Sequence, residues 1–233
     1  MPKAVIFDID GTLVDSVALH AQAWVEAFKR HGYSVDFDEV KQHIGKGGEY
    51  IVAAFVPEAD RERVTEDISG DRKSYYQEQL LPQVQPFPQV RSLFQRLKED
   101  GIQIVLASSG RRESVEHNIR LLEVGDLIDG STSTDDAEQS KPEPDIFAAA
   151  LQKLEGVAPE AALVVGDSPY DAEAARKIPI RTIGVLCGGF SEAVLKNAGC
   201  AAVYRDPADL LTQYPQSFFE EPVSPVSEMG LES

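Results

Sequence analysis

Two aspartates, Asp8 and Asp10, follow an apolar run at residues 4–7 and are the first side chains in the sequence suited to chemistry. The apolar run predicts a strand that is buried on both faces. Because side chains two residues apart in an extended chain point to the same side, both carboxylates should face one site. Two carboxyl groups this close to each other would titrate as a coupled pair. An Asp-Gly turn by itself is an ordinary loop, so this interpretation needs partners elsewhere in the chain.

Polar side chains recur at three later places. Ser108 ends an apolar segment at residues 102–107, and Asp167 and Asp171 follow another at residues 162–165. Lys141 lies in the string Ser-Lys-Pro-Glu-Pro, whose prolines restrict the backbone around it. Each residue alone has an ordinary explanation as a turn residue, a helix cap or an exposed lysine. Together they supply hydroxyl and amide donors, a cation and carboxylates, which suit a phosphoryl group and a hard metal ion.

The four strings, in this order, resemble the four motifs of the haloacid dehalogenase superfamily. They are Asp-x-Asp-Gly-Thr at residues 8–12, a strand-end serine at 108, Lys-Pro-x-Pro at 141–144 and Gly-Asp-x-x-x-Asp at 166–171. The resemblance covers residues 4 to about 211. It implies that Asp8 is the nucleophile, that Asp10 is the general acid and base, and that Lys141 neutralises charge on the phosphoryl group.

The resemblance also implies which groups hold the ligands of the reaction. Mg²⁺ would be held by Asp8, by the backbone carbonyl of Asp10 and by Asp167, with Asp171 behind them orienting a metal-bound water or Lys141. The transferring phosphoryl group would be bound by hydroxyl and amide groups of Thr12, Ser108 and Ser109.

Strands and helices alternate through the second half of the sequence. This pattern predicts an α/β fold, a Rossmann-like parallel sheet with helices on both faces. The predicted strands are residues 4–7, 102–107, 127–130, 162–165, 181–185 and 201–204. The predicted helices of this part are residues 90–100, 111–122, 145–154, 171–177 and 191–198. The motif residues then lie at the carboxyl ends of strands, where open α/β sheets bind their ligands.

Residues 16–84 show only helical patterns, at 17–31, 38–44, 49–55 and 58–81. We expect a small helical cap domain inserted after the first strand, with residues 1–15 and 85–215 forming the core and residues 216–233 an acidic, disordered tail. The cap resembles that of the phosphoglycolate phosphatase and β-phosphoglucomutase branch.

Three cap residues are candidates for binding substrate. His20, on an apolar stripe, is equally well explained as a substrate contact or as a core histidine. Lys46 lies in a glycine-rich loop, where it would contact substrate or would simply be solvated. Lys73 is a weaker candidate.

The net charge of −17 argues against nucleic-acid backbones and anionic membranes as partners. It leaves a small phosphorylated metabolite open, because charges beyond about 8 Å are screened while a local Mg²⁺ and lysine act at contact range. No apolar run approaches the roughly 20 residues of a membrane span, and the sequence starts without a charged-then-apolar leader, so we expect a cytoplasmic protein. Cys187 and Cys200 have no zinc-site spacing and should be reduced and buried. A monomer and a homodimer are both compatible with the sequence.

An acid at position 10 resembles the phosphatases and phosphomutases of the superfamily, since its dehalogenases, phosphonatases and transport ATPases lack one there. We favour a Mg²⁺-dependent phosphomonoester hydrolase with an aspartyl-phosphate intermediate. A sugar-phosphate mutase is the alternative, but it needs cap cations for a second phosphate, and Glu49 stands where an arginine is expected. A non-catalytic, phospho-accepting regulatory domain is less favoured, because a mere acceptor needs neither Asp10 as an acid nor a cap.

Overall fold

A computed structural model describes residues 2–214 of the chain. The acidic tail that we predict to be disordered, residues 216–233, lies outside the described residues.

A six-stranded parallel sheet forms the centre of the fold. Its strands are β1 (Ala4–Phe7), β4 (Gln103–Ala107), β5 (Gly130–Thr132), β6 (Ala162–Gly166), β7 (Arg181–Val185) and β8 (Cys200–Tyr204). They lie in the order β5-β4-β1-β6-β7-β8. The first strand pairs in parallel with β4 on one side and β6 on the other. The predicted parallel α/β sheet is therefore confirmed, and β1 lies at its middle.

Helices cover both faces of the sheet because its apolar side chains alternate between them. On one face, Val5 and Phe7 pack with residues of α5 (Val90–Glu99) and α6 (Arg112–Leu122). On the other, Ala4 and Ile6 pack with residues of α7 (Asp145–Gln152) and α8 (Pro169–Arg176). Two shorter helices, α9 (Glu192–Ala198) and α10 (Pro207–Thr212), follow β7 and β8.

Helices also fill the segment of residues 16–84. They are α1 (Val17–Arg30), α2 (Phe37–Lys41), α3 (Gly48–Phe55) and α4 (Glu58–Tyr75). They surround an apolar cluster of their own, built around Trp24, Phe28, Val52 and Ile68. A short antiparallel pair, β2 (Val14–Asp15) with β3 (Gln85–Pro86), joins the two chain connections between these helices and the sheet. The division into cap and core at these connections stays a prediction.

Three predicted elements differ from the structure at a boundary or in helix type, and one helix was not predicted. The strand predicted at residues 127–130 is β5, which begins at Gly130. The helix predicted at residues 171–177 begins two residues earlier, at Pro169, because the side chains of Ser168 and Asp171 cap its first turn and proline is tolerated there. The helix predicted at 58–81 continues past Tyr75 as a wider turn, Tyr76–Leu80. Helix α10 was not predicted at all.

No helix within residues 2–214 combines the length and apolar character that a membrane span requires. Both cysteines are free thiols, with Cys200 buried and Cys187 half-buried.

Candidate active site

The strand order brings the predicted motif residues to one edge of the sheet. Asp8 follows β1, Ser108 follows the neighbouring strand β4, and Asp167 follows the neighbour on the other side, β6. All three side chains are buried, at 6%, 2% and 4% exposure. Parallel strands end on the same edge, so adjacency in the sheet is sufficient to place these residues together.

Lys141 lies among three carboxylates at this edge. Its Nζ is 2.5 Å from Oδ1 of Asp8 and 2.7 Å from Oδ1 of Asp171. Carboxylate oxygens of Asp8, Asp167 and Asp171 all lie within 4.8 Å of one another. Thr12 joins two of these carboxylates, because its hydroxyl lies 3.3 Å from Oδ2 of Asp8 and 3.3 Å from Oδ1 of Asp167.

This cluster holds more negative than positive charge, and the pKa values reflect it. Burial raises the pKa of the Asp8 carboxyl to about 7, although Lys141 opposes the rise. Burial and the charges of Asp8 and Asp171 raise the pKa of Asp167 well above its usual range. Burial alone would lower the pKa of Lys141, but Asp171 and Asp8 outweigh it and raise that pKa, so the lysine stays charged.

The donor set fits a divalent cation. Its side-chain donors are carboxylate oxygens, the ligands that Mg²⁺ prefers, and added positive charge would stabilise their ionised forms. Asp171 has less freedom to bind a metal, since its Oδ2 accepts from the Ser168 hydroxyl at 2.7 Å and amide at 3.1 Å while Oδ1 faces Lys141. Asp8 and Asp167 would therefore be the side chains that hold the ion, with Asp171 fixing Lys141.

Gly188, which follows β7, packs directly against the Asp167 carboxylate. A Cβ atom at this position would lie 1.7 Å from Oδ2 of Asp167, far closer than atoms can approach. Nothing in the local sequence signalled this requirement. The glycine leaves room for the carboxylate in its present position.

We expect Gly188→Ala to displace the Asp167 carboxylate and to raise the Mg²⁺ concentration for half-maximal activity by about 10- to 100-fold. A magnesium titration of phosphate release from p-nitrophenyl phosphate measures this. Gly125→Ala is the matched control, because its added methyl would make only an ordinary contact with Ile119 at 3.6 Å. Equal titration curves for the two variants would contradict the prediction.

The Asp10 side chain accepts three hydrogen bonds, all from groups outside the carboxylate cluster. Oδ1 accepts from the Ser16 hydroxyl at 2.7 Å and faces Nε2 of His20 at 2.9 Å, and Oδ2 accepts from the Ser108 hydroxyl at 3.2 Å. Burial raises the pKa of Asp10, but the charge that His20 carries when protonated, the hydrogen bonds from His20 and the Ser16 hydroxyl, and the charge of Arg72 outweigh it and lower that pKa. Asp10 is therefore an ionised acceptor in this arrangement.

Arg72 of α4 completes this network and was missed by the sequence analysis. Its Nη2 lies 2.6 Å from Nδ1 of His20. Because arginine can only donate, Nδ1 of His20 accepts, and the ring proton is left on Nε2 facing Asp10. The guanidinium carbon lies 5.4 Å and 5.2 Å from the ring centres of Trp24 and Tyr76. An available signal was its place on the buried stripe of α4, four residues after Ile68 and four before Tyr76, where an apolar residue is expected.

A cavity of about 630 Å³ lies between the carboxylate edge and the helices of residues 17–80. Asp8, Asp10 and Lys141 line it, as do the predicted substrate contacts His20, Lys46, Ser109 and Lys73. Thr12 and Ser108 do not, because both are buried with their hydroxyls turned to carboxylates. We expect both residues to bind the phosphoryl group. In this structure the Thr12 hydroxyl is hydrogen-bonded to the carboxylates of Asp8 and Asp167, and the Ser108 hydroxyl to that of Asp10. The cavity also contains Arg72 and Arg111.

Comparison with known sequences gives one family. The sequence profile of the haloacid dehalogenase-like hydrolases matches residues 5–185. A putative pyrophosphatase PpaX of Caldanaerobacter subterraneus is 32% identical over 183 residues, which is 78% of this chain and 80% of that relative. A phosphoglycolate phosphatase of Aquifex aeolicus is 27% identical over 187 residues, or 80% and 85% of the two chains.

Comparison with solved structures agrees with the sequence comparison. The crystal structure of a hydrolase from Pseudomonas syringae superposes with a TM-score of 0.82 at 30% identity, covering 92% of this chain and 98% of that one. The fold is thus shared over most of both chains.

Proposed function

This chain belongs to the haloacid dehalogenase-like hydrolases, as a phosphatase of that family, and we propose that it is a Mg²⁺-dependent hydrolase of a small phosphorylated metabolite. One observation carries the proposal. Asp8, on the wall of the cavity, has a charged lysine 2.5 Å from one carboxylate oxygen and lies within a cluster of buried carboxylates. A carboxylate attacks an anionic phosphate ester poorly unless nearby positive charge offsets the repulsion.

In the first step, an oxygen of Asp8 would form a bond to phosphorus as the bond from phosphorus to the ester oxygen breaks. Asp10 would give its proton to the departing oxygen. Lys141 would bind an oxygen of the transferring group. The Ser109 hydroxyl would do the same, since it lines the cavity and is buried without a hydrogen-bond partner among residues 2–214. The products of this step are the free alcohol and an aspartyl phosphate on Asp8.

In the second step, Asp10 would take a proton from water while the water oxygen bonds to phosphorus and the bond to Asp8 breaks, releasing inorganic phosphate. The donors around Asp10 favour its ionised form and so support this step. They oppose the first step, which needs Asp10 protonated. We therefore infer that, when substrate binds, the Asp10 carboxyl gives up its hydrogen bond with His20 or Ser16 and forms one with the ester oxygen instead.

Mg²⁺ bound by Asp8 and Asp167 would supply positive charge that offsets the charge of the phosphoryl oxygens and lowers the pKa of Asp8. No other chemistry is required of it.

A panel of phosphate esters, extended by the anhydride pyrophosphate, tests the proposal. It includes p-nitrophenyl phosphate, pyrophosphate and phosphoglycolate, the last two because relatives carry those names. We expect phosphate release with Mg²⁺ and none with chelator. An absence of turnover across the panel would favour a phospho-accepting regulatory domain instead.

A sugar-phosphate mutase remains the second candidate, and the structure strengthens it. Glu49 stands where a mutase would have an arginine, but the helical segment supplies three cations to the cavity, Lys46, Arg72 and Lys73. These would suit a second phosphate. The deciding assay gives the protein a phosphohexose together with its bisphosphate. Isomerised product without net phosphate release would establish the mutase and overturn the hydrolase.

We expect Arg72→Met to lower kcat by about tenfold and to move the acid limb of the pH–rate profile to higher pH. The sign follows from the charge of Arg72, which lowers the pKa of Asp10, so its removal raises that pKa. Arg72→Lys keeps the charge and should keep the position of the limb. Arg63→Met, exposed on the same helix, is the control. An unmoved acid limb in Arg72→Met would contradict the assignment.

A further inference from the structure

The segment at residues 42–47, between α2 and α3, docks onto the two core loops that carry Lys141 and Asp167. We call it the docking loop. The Gly47 amide donates to the carbonyl oxygen of Lys141 at 3.3 Å. A Cβ atom on Gly47 would lie 2.2 Å from Cβ of Ser140, and one on Gly45 would lie 2.9 Å from Oγ of Ser168. Glycine at both positions therefore permits an approach that side chains would prevent.

Tyr170 contacts the docking loop at two points. Its hydroxyl donates to the carbonyl oxygen of Gln42 at 2.7 Å, and Nζ of Lys46 lies 4.5 Å from the centre of its ring. Lys46 is held from the other side by Nδ1 of His43 at 3.2 Å. Phe190 packs edge-on against the Tyr170 ring, with 6.1 Å between ring centres. The tyrosine thus has support from the core and partners on the loop.

Tyr170 lies between Asp167 and Asp171 in the fourth motif, at a position that the motif leaves unspecified. We propose that Tyr170 is a positioning residue that holds the docking loop closed over the cavity. Lys46 is then held at the cavity wall, and the loop fixes the backbone of Lys141 through Gly47. Tyr170 itself touches no reacting atom. The kinetic part of this inference rests on the proposed function, whereas the closure does not.

Closure of the docking loop changes the affinity for substrate rather than the rate of the chemical step. A substrate that binds only the closed form has an apparent Kd divided by the fraction of molecules that are closed. One hydrogen bond and one cation–π contact, lost together, should reduce that fraction about tenfold. We therefore expect Tyr170→Ala to raise KM for p-nitrophenyl phosphate about tenfold while kcat falls less than about twofold. Tyr170→Phe keeps the ring beside Lys46 and should raise KM about threefold.

The closure itself is measurable without turnover, because Trp24 is the sole tryptophan of the chain and lies beside the docking loop. A Cβ atom on Gly48, which directly follows the loop, would lie 3.2 Å from the Trp24 ring. Trp24 also lines the cavity and is only 4% exposed. Opening of the loop should expose this ring to a soluble quencher.

The experiment is acrylamide quenching of Trp24 fluorescence in the full chain without substrate. We expect Tyr170→Ala to raise the quenching constant at least about twofold and Tyr170→Phe to lie between it and the unaltered protein. Gly47→Ala should open the loop from the other side, and combining it with Tyr170→Ala should add little. Tyr33→Phe is the control, since this ring packs against the cluster around Phe28. Circular dichroism identifies any variant that fails to fold.

Wild-type quenching in both Tyr170→Ala and Gly47→Ala would overturn the inference, as would an equal rise in Tyr33→Phe. If the quenching changes are found while the unaltered protein hydrolyses none of the phosphate esters, the docking role stands and the proposed function fails.

Discussion

Asp8→Asn should abolish phosphate release, with kcat falling at least about 10,000-fold, because the amide cannot form the bond to phosphorus. The substitution keeps the shape of the side chain, and Lys141 keeps its contact with Asp171. Release of phosphate from p-nitrophenyl phosphate with Mg²⁺ measures the effect. Asp67→Asn, exposed on α4, is the control for a surface change of the same kind.

Stability separates loss of chemistry from loss of fold in this variant. Burial raises the pKa of Asp8 from 3.8 to about 7, so the folded protein binds a proton that the unfolded chain releases. The stability from that proton is complete below pH 3.8 and is lost as the pH rises through about 7. Asparagine carries no charge to bury. Metal-free Asp8→Asn should therefore melt no lower than the unaltered protein above neutral pH.

Two results would contradict the role of Asp8. One is a variant that keeps more than about a hundredth of the activity, because loss of the nucleophile should lower kcat much further than that. The other is a metal-free variant that melts well below the unaltered protein, because the lost activity would then reflect unfolding.

Lys141→Met should both inactivate the protein and destabilise it. Lys141 is 1% exposed and faces Asp8 and Asp171, so its removal leaves buried carboxylates without their nearest cation. Removing one partner of a buried ion pair typically costs about 3 to 5 kcal/mol of unfolding free energy. We expect that loss in urea unfolding of the metal-free protein at neutral pH. At acid pH, where the carboxyl groups take up protons, the loss should shrink.

The chain offers a matched control in Lys177. Its Nζ lies 2.7 Å from Oε1 of Glu143, a residue of the same Lys-Pro-x-Pro string, but this pair is exposed. Lys177→Met should therefore cost less than about 1 kcal/mol. Added Mg²⁺ should recover part of the stability of Lys141→Met, since it supplies positive charge to the same carboxylates. Equal losses for the two lysines would contradict a buried, charge-neutralising role for Lys141.

The family, the parallel sheet and the gathering of Asp8, Ser108 and Asp167 were predictable from sequence. Each residue follows an apolar run that forms a strand, and parallel strands present their carboxyl ends on one edge. Lys141 was predictable only as a motif residue, since neighbouring prolines do not say which carboxylates it will meet. Strand and helix ends were less certain, as β5 and α8 show, because the hydrogen bonds of neighbouring residues decide them.

Within the site, the amino-acid sequence by itself determined which side chains end the strands of the central sheet, because residue spacing and apolar periodicity are local properties of the chain. Only the tertiary structure decided what those side chains touch. Arg72 reaches His20 across 52 residues of sequence, Gly188 closes on Asp167, and Tyr170 meets Gln42 across 128 residues. Such contacts depend on how separately formed helices and strands pack together. The periodicity within one segment does not predict where a second segment will lie.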